Sequence, residues 1–187
     1  PVHVDIILDK PGTSFKNVCY SAYMNERFSM NMIKPENKMN SHCENYFVSV
    51  TSDEVDRCVT YLNAWVGTTP YNYSDSILLL PTLPSNSTFV NVMVQDIDLG
   101  TDPRKVSSVY CSQAAVLMLR ECLNSSGSLQ NLVGELKDTN SRLVSPHRLC
   151  SIFRRYAKPI SNESLFSLHG PFSIAEEDDE LDGCEQK

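Results

Sequence analysis

The stretch Asn45-Tyr-Phe-Val-Ser-Val-Thr51-Ser-Asp-Glu54-Val-Asp-Arg-Cys58-Val-Thr-Tyr-Leu62-Asn-Ala-Trp65-Val-Gly67 changes its period part-way along. Residues 45–50 read as a strand. Thr51 with Glu54 three residues later is a capping-box signature for a helix start. Val55, Cys58, Val59, Leu62 and Trp65 then recur at helical spacing, and Gly67 ends the run. On the N-terminal side the pattern is all strand. Residues 2–8 end in the turn signal Asp9-Lys10-Pro11-Gly12, and strands at about 15–23 and 27–33 follow. With 45–50 these predict an antiparallel meander.

On the C-terminal side helices dominate. Residues 68–87 carry Pro70, Pro81 and Pro84 and read as a long irregular connection, 88–94 as one more strand, and 95–108 as a polar loop. A second helix is predicted over 111–123, with Cys111, Ala114, Ala115, Met118 and Cys122 along one face. A third is predicted over 128–136. A fourth has Ser145 as N-cap and Pro146 in its first turn, and turns Leu149, Ile152, Phe153 and Tyr156 inward. Strands first and helices later argue an α+β domain, a meander packed against helices.

The chain has 187 residues, enough for one core, and a formal net charge of −7. Seven of its acidic residues and one lysine fall between Glu176 and Lys187, so the rest is nearly neutral. That excludes the basic stripe of a nucleic-acid binder. It also divides the chain into a folded part, 1–172, and an acidic tail, 173–187, read as disordered because it repels itself and has no apolar anchors. No apolar run is long enough for a transmembrane helix. The seven cysteines are odd in number and irregularly spaced, and Cys58, Cys122 and Cys150 lie on apolar helix stripes, so a reducing, cytoplasmic compartment is expected. The first residue is Pro1 rather than Met, which leaves room for a segment removed ahead of it.

Chemistry converges on Cys111. A cysteine nucleophile works as thiolate, and a helix N-terminus favours the anion through its partial positive charge and free N–H groups. Cys111 stands where an extended segment enters an apolar helix, and its own N–H is placed to help hold an oxyanion. A histidine must serve as base. Among His3, His42, His147 and His169, only His3 lies in a predicted strand. Periodicity alone reads Cys111 as a buried structural thiol. His42-Cys43 is too short a pair for a metal site, and nucleotide, metalloprotease and serine-hydrolase motifs are absent from the sequence.

Four segments taken in order carry a resemblance. His3-Val4-Asp5-Ile6-Ile7 is similar to a histidine strand. Val66-Gly67-Thr68-Thr69-Pro70-Tyr71-Asn72-Tyr73 is similar to a Gly-x-x-Tyr-Asn/Asp loop after a helix. Tyr110-Cys111-Ser112-Gln113 is similar to a Tyr-Cys-Ser nucleophile motif, and Ser145-Pro146-His147-Arg148-Leu149 to a Ser/Thr-Pro-x-x-Leu helix start. Together, over roughly residues 2–157, they resemble the circularly permuted papain-like proteins of the NlpC/P60 superfamily, found in bacteria, eukaryotes and large DNA viruses. In that group the histidine strand precedes the nucleophile.

The resemblance implies a permuted papain-like fold, Cys111 as nucleophile, His3 as base, and Tyr71, Tyr110 and Gln113 lining the substrate. In the family a third polar group on the strand after the histidine orients the imidazole. Here that strand offers Asn17, Tyr20 or Ser21 and no acid, so Tyr20 and Ser21 are the expected partners. The family's Gly-Asp-containing strand ahead of the histidine strand has no counterpart. The implied activity is hydrolysis or acyl transfer at an amide, ester or thioester bond of a peptide or lipid-like substrate, with no metal and no cofactor. The alternative is a non-catalytic structural or interaction protein that keeps the fold and binds a protein partner, a virion component being one instance.

Overall fold

In the computed structural model of the chain, residues 3–10, 13, 18–32, 44–77, 79, 96 and 102–161 are described. The strand expected at 88–94, the acidic tail, Asn17, His42, Cys43 and His169 lie outside them. The architecture is α+β. Strands β1 (Ile6–Leu8), β2 (Val18–Ser21) and β3 (Ser29–Met32) form an antiparallel meander in which Ile7 faces Cys19 and Cys19 faces Asn31. Alternation sends Val18 and Tyr20 into the core and leaves Cys19 on the other face.

Two expectations about the strands change. The ladder starts at Ile6, so His3 precedes the paired part of its strand. The fourth strand, β4 (Asn45–Phe47), does not extend the meander. It pairs antiparallel with β5 (Lys158–Ile160) near the end of the described chain. Pro159 sits in that edge strand, where a missing N–H is tolerated. Arg154 adds an ion pair with Glu44 and a bond from its Nε to Tyr46 Oη at 3.2 Å.

Helix α1 (Ser52–Asn63) begins with the expected box: the Glu54 N–H donates to Thr51 Oγ1 at 3.3 Å and the Thr51 N–H to Glu54 Oε2 at 2.8 Å. The buried Glu54 carboxylate also accepts the Asn124 N–H at 2.8 Å. Past the helix, Gly67 takes φ +71° and donates its N–H to Phe28 O, which docks the end of α1 on the β2–β3 connection. Trp65, wholly buried, packs edge-on against Phe28 and Tyr61 with ring centroids 5.5 and 5.1 Å apart, and its Nε1 donates to Pro103 O at 2.8 Å.

The connection from residue 68 is less irregular than expected. It holds a short helix, α2 (Tyr73–Ile77), and Tyr71 bridges to Val109 in parallel. Helix α3 (Cys111–Cys122) is the central element, with every residue from Cys111 to Met118 buried. It packs on α1, on α4 (Gln130–Asp138) and on α5 (Pro146–Tyr156). Ser145 caps α5 as expected, accepting the Arg148 N–H at 3.1 Å. Cys58 and Cys122 meet, buried and unoxidised, between α1 and α3, whereas Cys150 is only half-buried and points its thiol at Glu44. Among the described residues no helix is long and apolar enough to cross a membrane.

Candidate active site

Cys111 is the first residue of α3, and Tyr110, extended at φ −109° and ψ 167°, is its N-cap. The helix starts here because Gln113, in its first turn, accepts the Tyr110 N–H at 3.3 Å and the residues beyond are apolar. Two sets of bonds then fix this helix end. On one side Tyr110 Oη donates to Ser141 O at 3.0 Å and Ser112 Oγ to Val144 O at 2.7 Å. The Ser141 turn is itself tied to Asp96, which accepts its N–H at 2.8 Å and its hydroxyl at 2.6 Å. On the other side Gln113 Nε2 donates to Asp75 Oδ2 and Asn72 Nδ2 to Gln113 Oε1, both at 3.3 Å. Asp75 is buried and forks against Arg142, Nε and Nη2 reaching its two oxygens at 2.7–3.1 Å.

Opposite Cys111 stands the N-terminal segment. Carrying the β1–β2 register outward sets Asp5 against Ser21 one pair beyond the ladder and His3 against Tyr23 three pairs beyond it, and the side chains follow it. Ser21 Oγ donates a short bond to Asp5 Oδ1, and the His3 and Tyr23 rings stack at 4.3 Å and 14°. His3 Nε2 meets Asp5 Oδ1 at 3.0 Å, and Cys111 lies near enough to act on the charge of the imidazole.

The electrostatics follow from these contacts. Burial works to lower the His3 pKa, but the Asp5 bond, then the bond and charge of Cys111, outweigh it and raise the value to about 9. For Asp5 burial works upward, and the bonds from His3 and Ser21 win, holding it below the usual carboxylate range. The neighbouring thiol, Cys19, is pushed up to about 11 by burial and by the Asp5 charge, so it stays neutral. Tyr71 lies close enough to feel the Cys111 charge, and its ring meets that of Tyr73 edge-on at 5.1 Å.

The sequence-expected residues therefore divide. His3, Cys111, Ser21 and Tyr71 come together. Tyr20 does not: it is fully buried on the core face and donates its hydroxyl to Asn63 Oδ1 at 2.9 Å. Tyr110 and Gln113 are also enclosed, so they hold the helix end and do not line a substrate surface. The acid beside the imidazole is Asp5, on the same segment and not on the next strand where a partner was expected. Its signal was the His-x-Asp spacing, which puts both side chains on one face of a strand.

No protein-family model, curated protein or solved structure matches this chain. What the site can do rests on its own geometry. Among the described residues no cluster of His, Cys, Asp and Glu can hold a metal ion. The arrangement is an acid bonded to an imidazole, with a thiol near the ring at a helix N-terminus.

Proposed function

We propose that this chain is a thiol hydrolase or acyltransferase of permuted papain-like type, acting on an amide, ester or thioester bond of a peptide or lipid-like substrate. The observation that carries the reading is the His3 imidazole bonded to the Asp5 carboxylate at 3.0 Å, with Cys111 near it at the N-terminus of α3. A protonated imidazole beside a thiolate at a helix end is the resting form such a pair needs.

The chemistry follows from that pair. The Cys111 sulfur attacks the carbonyl carbon, a C–S bond forms, and the carbonyl electron pair moves to oxygen. N–H groups of the first turn of α3 face the resulting oxyanion. As the oxyanion collapses, His3 gives its proton to the departing amine, alkoxide or thiolate, leaving a thioester on Cys111. Water, or an acceptor hydroxyl or amine, then loses a proton to His3 and attacks the thioester, and the thiolate–imidazolium pair returns. Asp5 keeps the imidazole in one orientation and stabilises its cation, with Ser21 holding the carboxylate.

Incubation with p-nitrophenyl acetate tests this. The wild type should release nitrophenol in a burst of about one equivalent and carry an acetyl group on Cys111 by mass spectrometry. Cys111→Ser and His3→Ala should lose both while still unfolding cooperatively, His3→Ala with a modestly lower melting temperature. A Cys111 that acetylates no faster in wild type than in His3→Ala ends the enzyme reading. One observation favours a non-catalytic binding protein instead: Cys111 is only 5% exposed, and the hollows by Val55 and Val59 and by Ser49 and Leu129 are not lined by Cys111 or His3. In that reading the burst is absent in the wild type too.

A further inference from the structure

The His3 ring lies ahead of the first paired residue of β1, so no backbone ladder fixes it. Two side-chain contacts do. Asp5 holds one edge, and Tyr23 covers one face, nearly parallel at 14° with ring centroids 4.3 Å apart. Tyr23 is 43% exposed, so burial alone gives little reason for its place. Its place comes from the turn that bears it. Asn25, in the left-handed region at φ +67°, donates its N–H to Tyr73 Oη and accepts the Tyr73 hydroxyl on Oδ1, both at 2.7 Å. Arg27 Nη1 donates to Thr68 O at 2.6 Å, and Arg27 bridges to Pro70. The turn is thus fastened to the 68–73 segment, which runs on past Cys111 through the Tyr71–Val109 bridge.

We infer that Tyr23 is a positioning residue for His3, a fixed aromatic plate that sets the plane of the imidazole and stabilises its protonated form. The inference rests on His3 being the base of the proposed reaction. A flat ring over one face blocks rotation of the imidazole away from Asp5, and the negative face of the phenol ring attracts a cation more than a neutral ring. The titratable groups facing His3 are Asp5 from its own segment, Tyr23 from the β2–β3 turn and Cys111 from α3. Cys19 and Glu26 act on these at one remove, through Asp5 and Tyr23, and Tyr71 through Cys111.

The test is an NMR titration of the His3 ring protons, identified by their loss in His3→Ala, in the wild type, Tyr23→Leu and Tyr23→Phe. Tyr23→Leu should lower the His3 midpoint by about half a pH unit, the size of a partly exposed cation–π contact. Iodoacetamide should label Cys111 more slowly at pH 7 in the same variant. Tyr23→Phe, which keeps the plate and loses only the hydroxyl, should restore both. Midpoints for leucine and wild type that agree within about 0.2 unit overturn the inference and leave the base assignment standing. A wild-type His3 titrating near its ordinary 6.5 overturns both, since no stabilised cation remains for Tyr23 to hold. Should Tyr23→Leu not fold, Tyr73→Phe releases the Asn25 clasp without touching either stacked ring. It should shift the midpoint in the same direction by less, and an unchanged midpoint overturns the inference.

Discussion

Removing Arg142 should weaken the fold in a way that depends on pH. Asp75 has 5% of its side chain exposed and Arg142 37%, so the carboxylate is buried and its partner reaches water. Arg142→Met keeps most of the aliphatic stem but leaves Asp75, among the described residues, with only the amide donors of Asn72 and Gln113. Breaking a fully buried pair costs about 3–5 kcal/mol, and water reaching the site from the Arg142 side lowers this to about 2–3 kcal/mol. In the wild type burial works to raise the Asp75 pKa, but the Arg142 contacts prevail and hold it below the ordinary range. The pair's stabilisation is therefore present above the unfolded carboxyl value near 3.9 and is lost as pH falls through the lower folded value. In the variant only the Asn72 and Gln113 amides oppose burial, so Asp75 takes up a proton more readily than in the wild type and the penalty fades on acidification. Urea unfolding followed by the fluorescence of Trp65, the sole tryptophan, should give a loss of about 2–3 kcal/mol at pH 7 and clearly less at pH 4.5. Asp75→Asn in the Arg142→Met background should recover more than half of the loss. A cost below about 1 kcal/mol at pH 7, or one equal at the two pH values, would refute the buried-charge argument.

Three other outcomes are expected. Trp65→Ala should cost about 3–5 kcal/mol in urea unfolding, followed by circular dichroism, because the indole is the buried meeting point of Phe28, Tyr61 and Pro103. The His3 pKa is raised to about 9, so its stabilisation should be complete below about 6.5, the unfolded value, and gone once pH has risen through about 9. For a quarter-exposed ring this amounts to about 1–2 kcal/mol, read as a wild-type minus His3→Ala difference that closes between pH 6 and 10. Tyr61→Phe should leave the melting temperature unchanged or raise it, since the buried Tyr61 hydroxyl has no hydrogen-bond partner among the described residues, and a clear drop would reveal one.

The helices were legible because their ends are local chemistry. Thr51 with Glu54 and Ser145 with Pro146 mark starts that need no distant partner, and the structure has both caps. Pairing across distance was not legible. Residues 158–160, Lys-Pro-Ile, read as nothing in particular, yet β4 needs them, because a strand is defined by its neighbour and not by its own pattern. The same limit hid the roles of Tyr110 and Gln113. A motif places them beside a thiol but does not say which way they face, and burial turned both inward. Asp5 was readable, since strand alternation alone puts it on the His3 face. The expected partner lay across the sheet, whereas the carboxylate that meets His3 lies along its own strand.

The pairing of β4 with β5 bears on how the molecule is made. The ion pair that borders this sheet joins residues 110 positions apart, whereas the meander pairs near neighbours in sequence. Closing so long a loop adds little to the free-energy balance, because the entropy grows only with the logarithm of length. It matters for time. During synthesis β1, β2 and β3 can pair as soon as they emerge, and α1 can dock on them soon after. Strand β4 must wait with its backbone N–H and C=O groups unpaired until Lys158–Ile160 has left the ribosome. A ribosome stalled between the two leaves the thiol, its base and its acid all translated, on a molecule whose last seam is open.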